Sequence, residues 1–364
     1  MSIINLIRPD ILSSQNYTAG GEGSQLRLHA NELPWSPVES LGLNHNFYPD
    51  PHLQKQLQDQ LILRYQIDQD QIVITRGSDD GIDLITRLFL NAGKDALLQF
   101  PPTFPMYSFY VRIQQAELLQ CPLDSQDNFS LSMDKINNSW QPNCKVILFC
   151  SPNNPTGNLI GLDLIAATCE YYANQSVVVV DEAYIEFSNS QSAVSLIERY
   201  ENLIVLRTLS KAYGLAGLRL GCIIAQPHII QAFNKIIAPF TLPGPVMALA
   251  IEALNRDEWF TSAIKRIQNS RNWLFNELQK ITIFEKVYPS ESNFIFVKTA
   301  YAQELTLYCS NKGIAIRNFP PHLLLHDHLR ITVGDETQNQ MLMETLSSFT
   351  QNIPGLNYAK DLIY

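Results

Sequence analysis

Charge is scarce in this chain, and where it occurs it is scattered. Of 364 residues, 17% are charged, against roughly 25% in an ordinary soluble domain. The balance of 26 Lys and Arg against 35 Asp and Glu leaves a net charge of −9. No run of basic residues could follow a phosphate backbone, which excludes nucleic acid as a partner. Met1–Leu12 lack the basic start, apolar stretch and small-residue cleavage site of an export signal, so the expected compartment is the cytoplasm. A membrane span is missing too: the longest uncharged apolar segment, Ile236–Ile251, is broken by Pro239, Pro243, Gly244 and Pro245 and falls short of about 18 uninterrupted apolar residues. The six cysteines (Cys121, Cys144, Cys150, Cys169, Cys222, Cys309) form no C-x-x-C and no regular framework. They read as packing residues in a reducing compartment. Repeats, low-complexity tracts and Ser/Gly linkers are absent as well.

What is present suffices for a large core. The apolar share is 46%, which excludes intrinsic disorder, and the length predicts two domains. From about residue 50, short β-branched runs alternate with helix-length segments such as Leu162–Tyr172. The runs are Ile72–Thr75, Ala96–Leu98, Val146–Phe149, Val177–Val180, Leu203–Leu206 and Gly221–Ile224, and none alternates with polar residues. Strands of this kind predict an α/β domain with a mostly parallel sheet between helices. Pro243-Gly244-Pro245 interrupts the pattern, after which one long helix is expected over about Pro245–Leu278, followed by strands at Ser292–Val297 and Leu329–Val333. The expected division is an arm with part of a small domain (1–45), a large domain (46–245) and a small α+β domain (246–364).

In an open parallel sheet, ligands bind beyond the carboxyl ends of the strands, so the residues after each apolar run carry the information. Ile72–Thr75 is followed by Arg76-Gly77-Ser78-Asp79-Asp80 and a helical pattern. A helix start of this kind can hold a phosphate on its free N–H groups, or Ser78 or Asp79 can simply cap the helix. Neither G-x-G-x-x-G nor G-x-x-x-x-G-K-[ST] occurs here, which removes the dinucleotide and P-loop readings. After Val146–Phe149 comes Cys150-Ser151-Pro152-Asn153-Asn154-Pro155-Thr156-Gly157, whose Pro and Gly also make an ordinary turn. Asp181-Glu182-Ala183-Tyr184 follows four valines, so the carboxylate at 181 is expected to be partly buried and in need of a cation or several donors. Leu203–Leu206 leads to Ser210-Lys211 and, eight residues beyond the lysine, Arg219. Lys211 lies among small and apolar residues, and burial lowers a lysine pKa as a Schiff-base lysine requires. Together these ends offer the groups that pyridoxal phosphate needs: a lysine, a carboxylate for the ring nitrogen, donors for the 3′ oxygen and a phosphate cradle.

These residues resemble the fold-type I pyridoxal-phosphate aminotransferases and, within them, the histidinol-phosphate aminotransferases. The likeness runs from His29-Ala30-Asn31-Glu32 through Tyr48-Pro49-Asp50, Gly77–Asp79, Ser151–Gly157, Asp181–Phe187 and Ser210–Gly221 to Arg330–Gly334. It implies a ping-pong transaminase with pyridoxal 5′-phosphate as cofactor. Lys211 would be the catalytic lysine and proton shuttle, and Asp181 would hold the ring nitrogen. Asn154 and Tyr184 would bond the 3′ oxygen, with Tyr107 stacked on the ring. Gly77, Ser78, Asp79, Ser210 and Arg219 would hold the phosphate. Tyr48 would reach a phosphate across a homodimer interface. The implied substrates are histidinol phosphate and glutamate/2-oxoglutarate, bound by Arg330, Arg317 and Asn31. The chain departs from the commoner pattern at Asp80 for Glu, Phe104 for Tyr and Phe240 for Tyr.

Two rival readings stand beside this one. His322, His326, Asp327 and His328 have a step suited to zinc on a helix, but Pro320 and Pro321 favour a solvated loop, and no metal is expected. A binding protein without catalysis has the intact Lys211 against it. Among enzymes, aromatic and aspartate aminotransferases and threonine-phosphate decarboxylase share the same motifs.

Overall fold

The computed structural model describes residues 3–13, 47–319 and 325–352. After a 3-10 turn (Ile3–Leu6) come α1 (Pro9–Leu12), α2 (Pro51–Tyr65), β1 (Ile72–Thr75), α3 (Ser78–Phe89), β2 (Ala96–Gln99), α4 (Met106–Ile113), β3 (Glu117–Gln120) and α5 (Met133–Ser139). They are followed by β4 (Cys144–Cys150), α6 (Leu162–Tyr171), β5 (Val177–Asp181), β6 (Leu203–Thr208), β7 (Gly221–Ala225), α7 (Pro227–Phe233) and α8 (Gly244–Leu254). The remainder is α9 (Asp257–Leu278), β8 (Lys286–Tyr288), β9 (Phe294–Lys298), α10 (Ala302–Asn311), β10 (Arg317–Asn318), β11 (His328–Thr332) and α11 (Glu336–Asn352).

The first seven strands form one sheet in the order β1-β7-β6-β5-β4-β2-β3. Neighbours from β3 to β6 are parallel, and β7 alone runs against both β6 and β1. Six strands therefore end on one edge, where β7 begins.

Two cores explain why these strands show no polar alternation. Successive strand residues face opposite ways, so Val178 and Val180 join one cluster with Leu57 and Leu61 of α2 and Ile165 of α6. Val177 and Val179 join the other with Ile82 and Ile85 of α3 and Ile229 of α7. All four valines are fully buried, each worth about 2 kcal/mol in apolar surface removed from water. A charge at Val179 would break this arrangement, because it would find neither water nor a partner. The sheet between helix layers expected from the sequence is the observed one, and the six cysteines are buried and unpaired.

Three expectations need correction. Residues 245–278 form two helices rather than one, because Arg256 takes a non-helical backbone (φ −105, ψ 56) and Asp257 and Glu258 then open a new helix, where acidic side chains suit the amino-terminal dipole. The large domain also runs past residue 245: Met247, Ala250 and Leu254 of α8 belong to the first cluster with α2, and Arg64 donates to the Leu254 carbonyl at 2.9 Å. The passage between domains lies within α9, whose Phe260 packs in that cluster while Leu274 and Leu278 pack with β9, β11, α10 and α11. Finally, the described arm sits on the large domain. Ile3, Leu6, Ile7 and Ile11 enter the second cluster, and Lys235 donates to the Leu12 carbonyl at 2.8 Å.

The smaller sheet, β10-β11-β9-β8, is antiparallel throughout. His328 opens β11 and is buried, not solvated as the loop reading had it. It stacks on Phe296 at 4.8 Å and bonds Asp327 at 2.6 Å, and burial lowers its pKa. His322 lies outside the described residues, and among the described ones no His, Cys, Asp and Glu group suited to a metal occurs.

Candidate active site

The shared strand edge collects the polar residues that follow β1, β4, β5 and β6. Gly77 precedes α3 with φ 84 and makes no side-chain cap, so the capping alternative for Ser78 and Asp79 does not hold. Both lie in the first turn, and Asp80 turns back to accept from Arg76 N–H at 3.0 Å. Arg219 reaches this turn from the other side. Its guanidinium donates to Ser210 Oγ at 3.3 Å and to the Ala216 carbonyl at 3.2 Å, and lies 3.6 Å from Asp79. A Cβ on Gly77 would stand 2.8 Å from Arg219 Nη2. Gly221, at the start of β7, leaves room for the same turn: a Cβ there would meet the Arg207 carbonyl and Gly77 C at 2.7 Å and Ser78 N at 2.8 Å. The result is a set of backbone N–H groups, a hydroxyl and a guanidinium around one point, which suits a phosphate.

Asp181 closes β5, and the valines before it carry its carboxyl inside, 3% exposed. Oδ2 accepts from the Tyr107 hydroxyl at 2.8 Å, and Oδ1 from Ala183 N–H at 3.2 Å. Burial pushes its pKa from 3.8 up to about 6, against the pull of these two donors and of Lys211. A carboxyl in this state is matched to a cation brought by a ligand.

Lys211 faces Asp181 across a cavity that Ser78, Asp79, Phe104, Asn154, Tyr184 and Arg219 help to line. About 490 Å³ of non-protein space lies there, partly open to solvent. Solvent reaches Lys211 through the mouth, yet its pKa is lowered, first by desolvation and then by Arg330 and Arg219. Its ammonium lies 5.6 Å from the centre of the Tyr184 ring. Burial raises the Tyr184 phenol, so it is a neutral donor.

The small domain contributes from above. Arg330 of β11 donates to Asn154 Oδ1 at 2.5 Å and lies over the Phe294 ring at 5.3 Å. Its Nε is buried without a hydrogen-bond partner among the described residues. Arg317 of β10 is its direct cross-strand neighbour. Like charges opposed in this way cost stability, and an anion between them relieves that cost.

Most of the residues singled out in the sequence thus meet at one place: Gly77, Ser78, Asp79, Asn154, Asp181, Tyr184, Ser210, Lys211 and Arg219, with Arg330 and Arg317 beside them. Tyr107 does not meet the cavity as a stacking ring, because it is fully buried. Phe104, three residues earlier, is on the cavity wall instead, as is the ring of Tyr184. Tyr48 stacks on Phe240 at 4.4 Å and is absent from the lining of its own chain's cavity. Asn31 lies outside the described residues. Cys150, read from the sequence as a packing residue, and Thr208, passed over there, also line the cavity; each ends or follows an apolar run.

The family model described as aminotransferase class I and II matches residues 13–346. The chain belongs to this family. Among curated members, it is 64% identical to histidinol-phosphate aminotransferase 1 of Legionella pneumophila strain Philadelphia 1, over 100% of both chains. It is 36% identical to histidinol-phosphate aminotransferase 1 of Haemophilus influenzae strain Rd, over 95% of each. The fold matches that of histidinol-phosphate aminotransferase from Sinorhizobium meliloti in complex with pyridoxal-5′-phosphate, with a TM-score of 0.75 at 24% identity, covering 88% of this chain and 90% of that one.

The Sinorhizobium structure holds pyridoxal 5′-phosphate, and the residues present in this chain fit that group. The buried Asp181 carboxyl suits a ring nitrogen, the uncapped start of α3 with Arg219 suits the phosphate, and Lys211, with its lowered pKa, suits the aldehyde. Tyr184 and Asn154 line the same cavity with groups that would suit the 3′ oxygen as donors, and Phe104 adds an aromatic ring to its wall.

Proposed function

We propose that the chain is a histidinol-phosphate aminotransferase that exchanges an amino group between histidinol phosphate and 2-oxoglutarate. The likeness to the Legionella enzyme across the full length of both chains carries this reading. When bound, pyridoxal 5′-phosphate supplies an electron sink for the charge that develops at the substrate α-carbon. In the reading offered here, Lys211 takes the proton from that carbon and returns it, as a lowered lysine pKa favours. Asp181 keeps the ring nitrogen protonated, and Asn154 and Tyr184 hold the 3′ oxygen.

Histidinol phosphate carries no carboxylate, so one site must accept a phosphate in one half-reaction and the carboxylates of glutamate in the other. Two neighbouring guanidiniums, Arg330 and Arg317, suit both kinds of anion. The reading includes Asn31 as a further substrate contact and a cytoplasmic enzyme, the latter supported by six unpaired cysteines. It also includes a homodimer in which Tyr48 completes the neighbour's phosphate site, supported by the exposure of Tyr48, 47%.

A substrate panel with 2-oxoglutarate as acceptor tests the reading. Histidinol phosphate is expected to exceed phenylalanine, tyrosine and aspartate in kcat/KM. Equal or greater turnover of an amino acid, or decarboxylation of threonine phosphate, would overturn the substrate assignment.

A further inference from the structure

We propose that Tyr107 is a positioning residue: its hydroxyl orients the Asp181 carboxylate and keeps it ionised for the ring nitrogen of the cofactor. The proposal rests on the reading of Asp181 as that nitrogen's partner. It starts from the three-residue step between Phe104 and Tyr107. Phe104 stands on the cavity wall, and Tyr107, in the first turn of α4, packs behind it edge to face at 5.6 Å and 82°. With no exposed surface and neighbours from the second core around it, the Tyr107 ring has one setting available, and its hydroxyl meets Asp181 Oδ2 at 2.8 Å.

A buried phenol needs a partner, and this one is a donor only, since burial holds its own proton on firmly. A hydroxyl that donates to a carboxylate favours the charged form over the neutral one. Ala183 N–H holds the other oxygen at 3.2 Å, so two donors from different elements fix the plane of the carboxylate. The other ionisable groups that face Asp181 are Asp79 at the start of α3, Cys150 at the end of β4, Lys211 after β6 and Tyr184 after β5, whose phenol burial keeps neutral. Asp79 opposes the charged form, Lys211 favours it from across the cavity, and the Cys150 thiol, pushed up to about 12, stays neutral. Tyr107 is the side chain that bonds the carboxylate directly.

The test loads cofactor-stripped wild type, Tyr107→Phe, Asp181→Ala and the double variant with pyridoxal 5′-phosphate and follows the visible absorbance. Phenylalanine keeps the ring and removes only the hydroxyl. Tyr107→Phe is expected to weaken cofactor binding about tenfold, the size of one hydrogen bond to a charged group, and to move the acid limb of the kcat/KM profile to higher pH. In the Asp181→Ala background, the same change should cost less than about twofold, because the group it acts on is gone. Unchanged binding and pH profile in Tyr107→Phe would overturn the proposal, and so would an equal loss in both backgrounds, which is the mark of a packing role. If Asp181→Ala alone bound the cofactor as wild type does, the reading of Asp181 would fall and the role of Tyr107 with it.

Discussion

Removing the charge of Asp181 is expected to stabilise the cofactor-free protein. Its carboxyl has a pKa of 3.8 in the unfolded chain and about 6 in the folded one. Between these values the folded state keeps a proton that the unfolded state has lost, so stability falls as pH rises through that window and stays lower above it. A shift of roughly two units, at about 1.4 kcal/mol each, places the cost near 3 kcal/mol. Asp181→Asn keeps an acceptor for the Tyr107 hydroxyl and removes the titration. Urea unfolding of the cofactor-free proteins should therefore show the variant more stable by about 3 kcal/mol near pH 8, by about half that near pH 5, and equal to wild type near pH 3.5. Saturating cofactor should reverse the order near pH 8, because the ring nitrogen supplies the cation that the carboxylate lacks. Equal stability of the two proteins across the range would refute the reasoning, since the carboxylate would then not be desolvated.

Three further outcomes follow from named contacts. Arg207 is buried between Glu182 and Glu186, at 3.3 and 2.6 Å, so Arg207→Met leaves buried carboxylates uncompensated and should cost about 3–5 kcal/mol in urea unfolding. Gly77→Ala sets a Cβ against Arg219 at a backbone angle that favours glycine; a loss of about 1–3 kcal/mol and weaker binding of the cofactor and of free phosphate are expected in calorimetry. On the proposed homodimer, inactive Lys211→Ala chains mixed with Tyr48→Ala chains should regain activity once subunits exchange, because one site of the heterodimer would draw both residues from intact copies. A heterodimer no more active than the Tyr48→Ala homodimer would confine Tyr48 to its own chain.

The strand ends were legible because each apolar run is buried on both faces and, β7 apart, stops at the edge that carries the cavity. β3 was not, since Glu117 and Gln120 are exposed and only Leu119 is buried, as befits an edge strand. The pairing of β10 was hidden for a similar reason: two residues, Arg317 and Asn318, carry no periodicity. The break at Asn255-Arg256 left a weak signal in the acidic residues after it, overridden by the helical pattern on both sides. Phe104 and Tyr107 show a deeper limit. Both are aromatic and both follow the same strand, and only the entry angle of α4 decides which ring faces the cavity and which hydroxyl faces Asp181. His328 was misread because its burial comes from Phe296, a residue on another strand.

The absence of a side chain at Gly221 reaches into the life of the enzyme between turnovers. If Lys211 is the lysine that holds the cofactor, it would release that bond in one half of each transamination cycle, and nothing covalent would then keep the cofactor in place. Retention would fall to the turn at Gly77, the Ser210 hydroxyl and Arg219, which the pairing of β7 with β1 and β6 has already fastened together. An enzyme built in this way is expected to age by leakage before it ages by unfolding: activity should fade as the cofactor escapes, and excess cofactor in the buffer should cancel the loss.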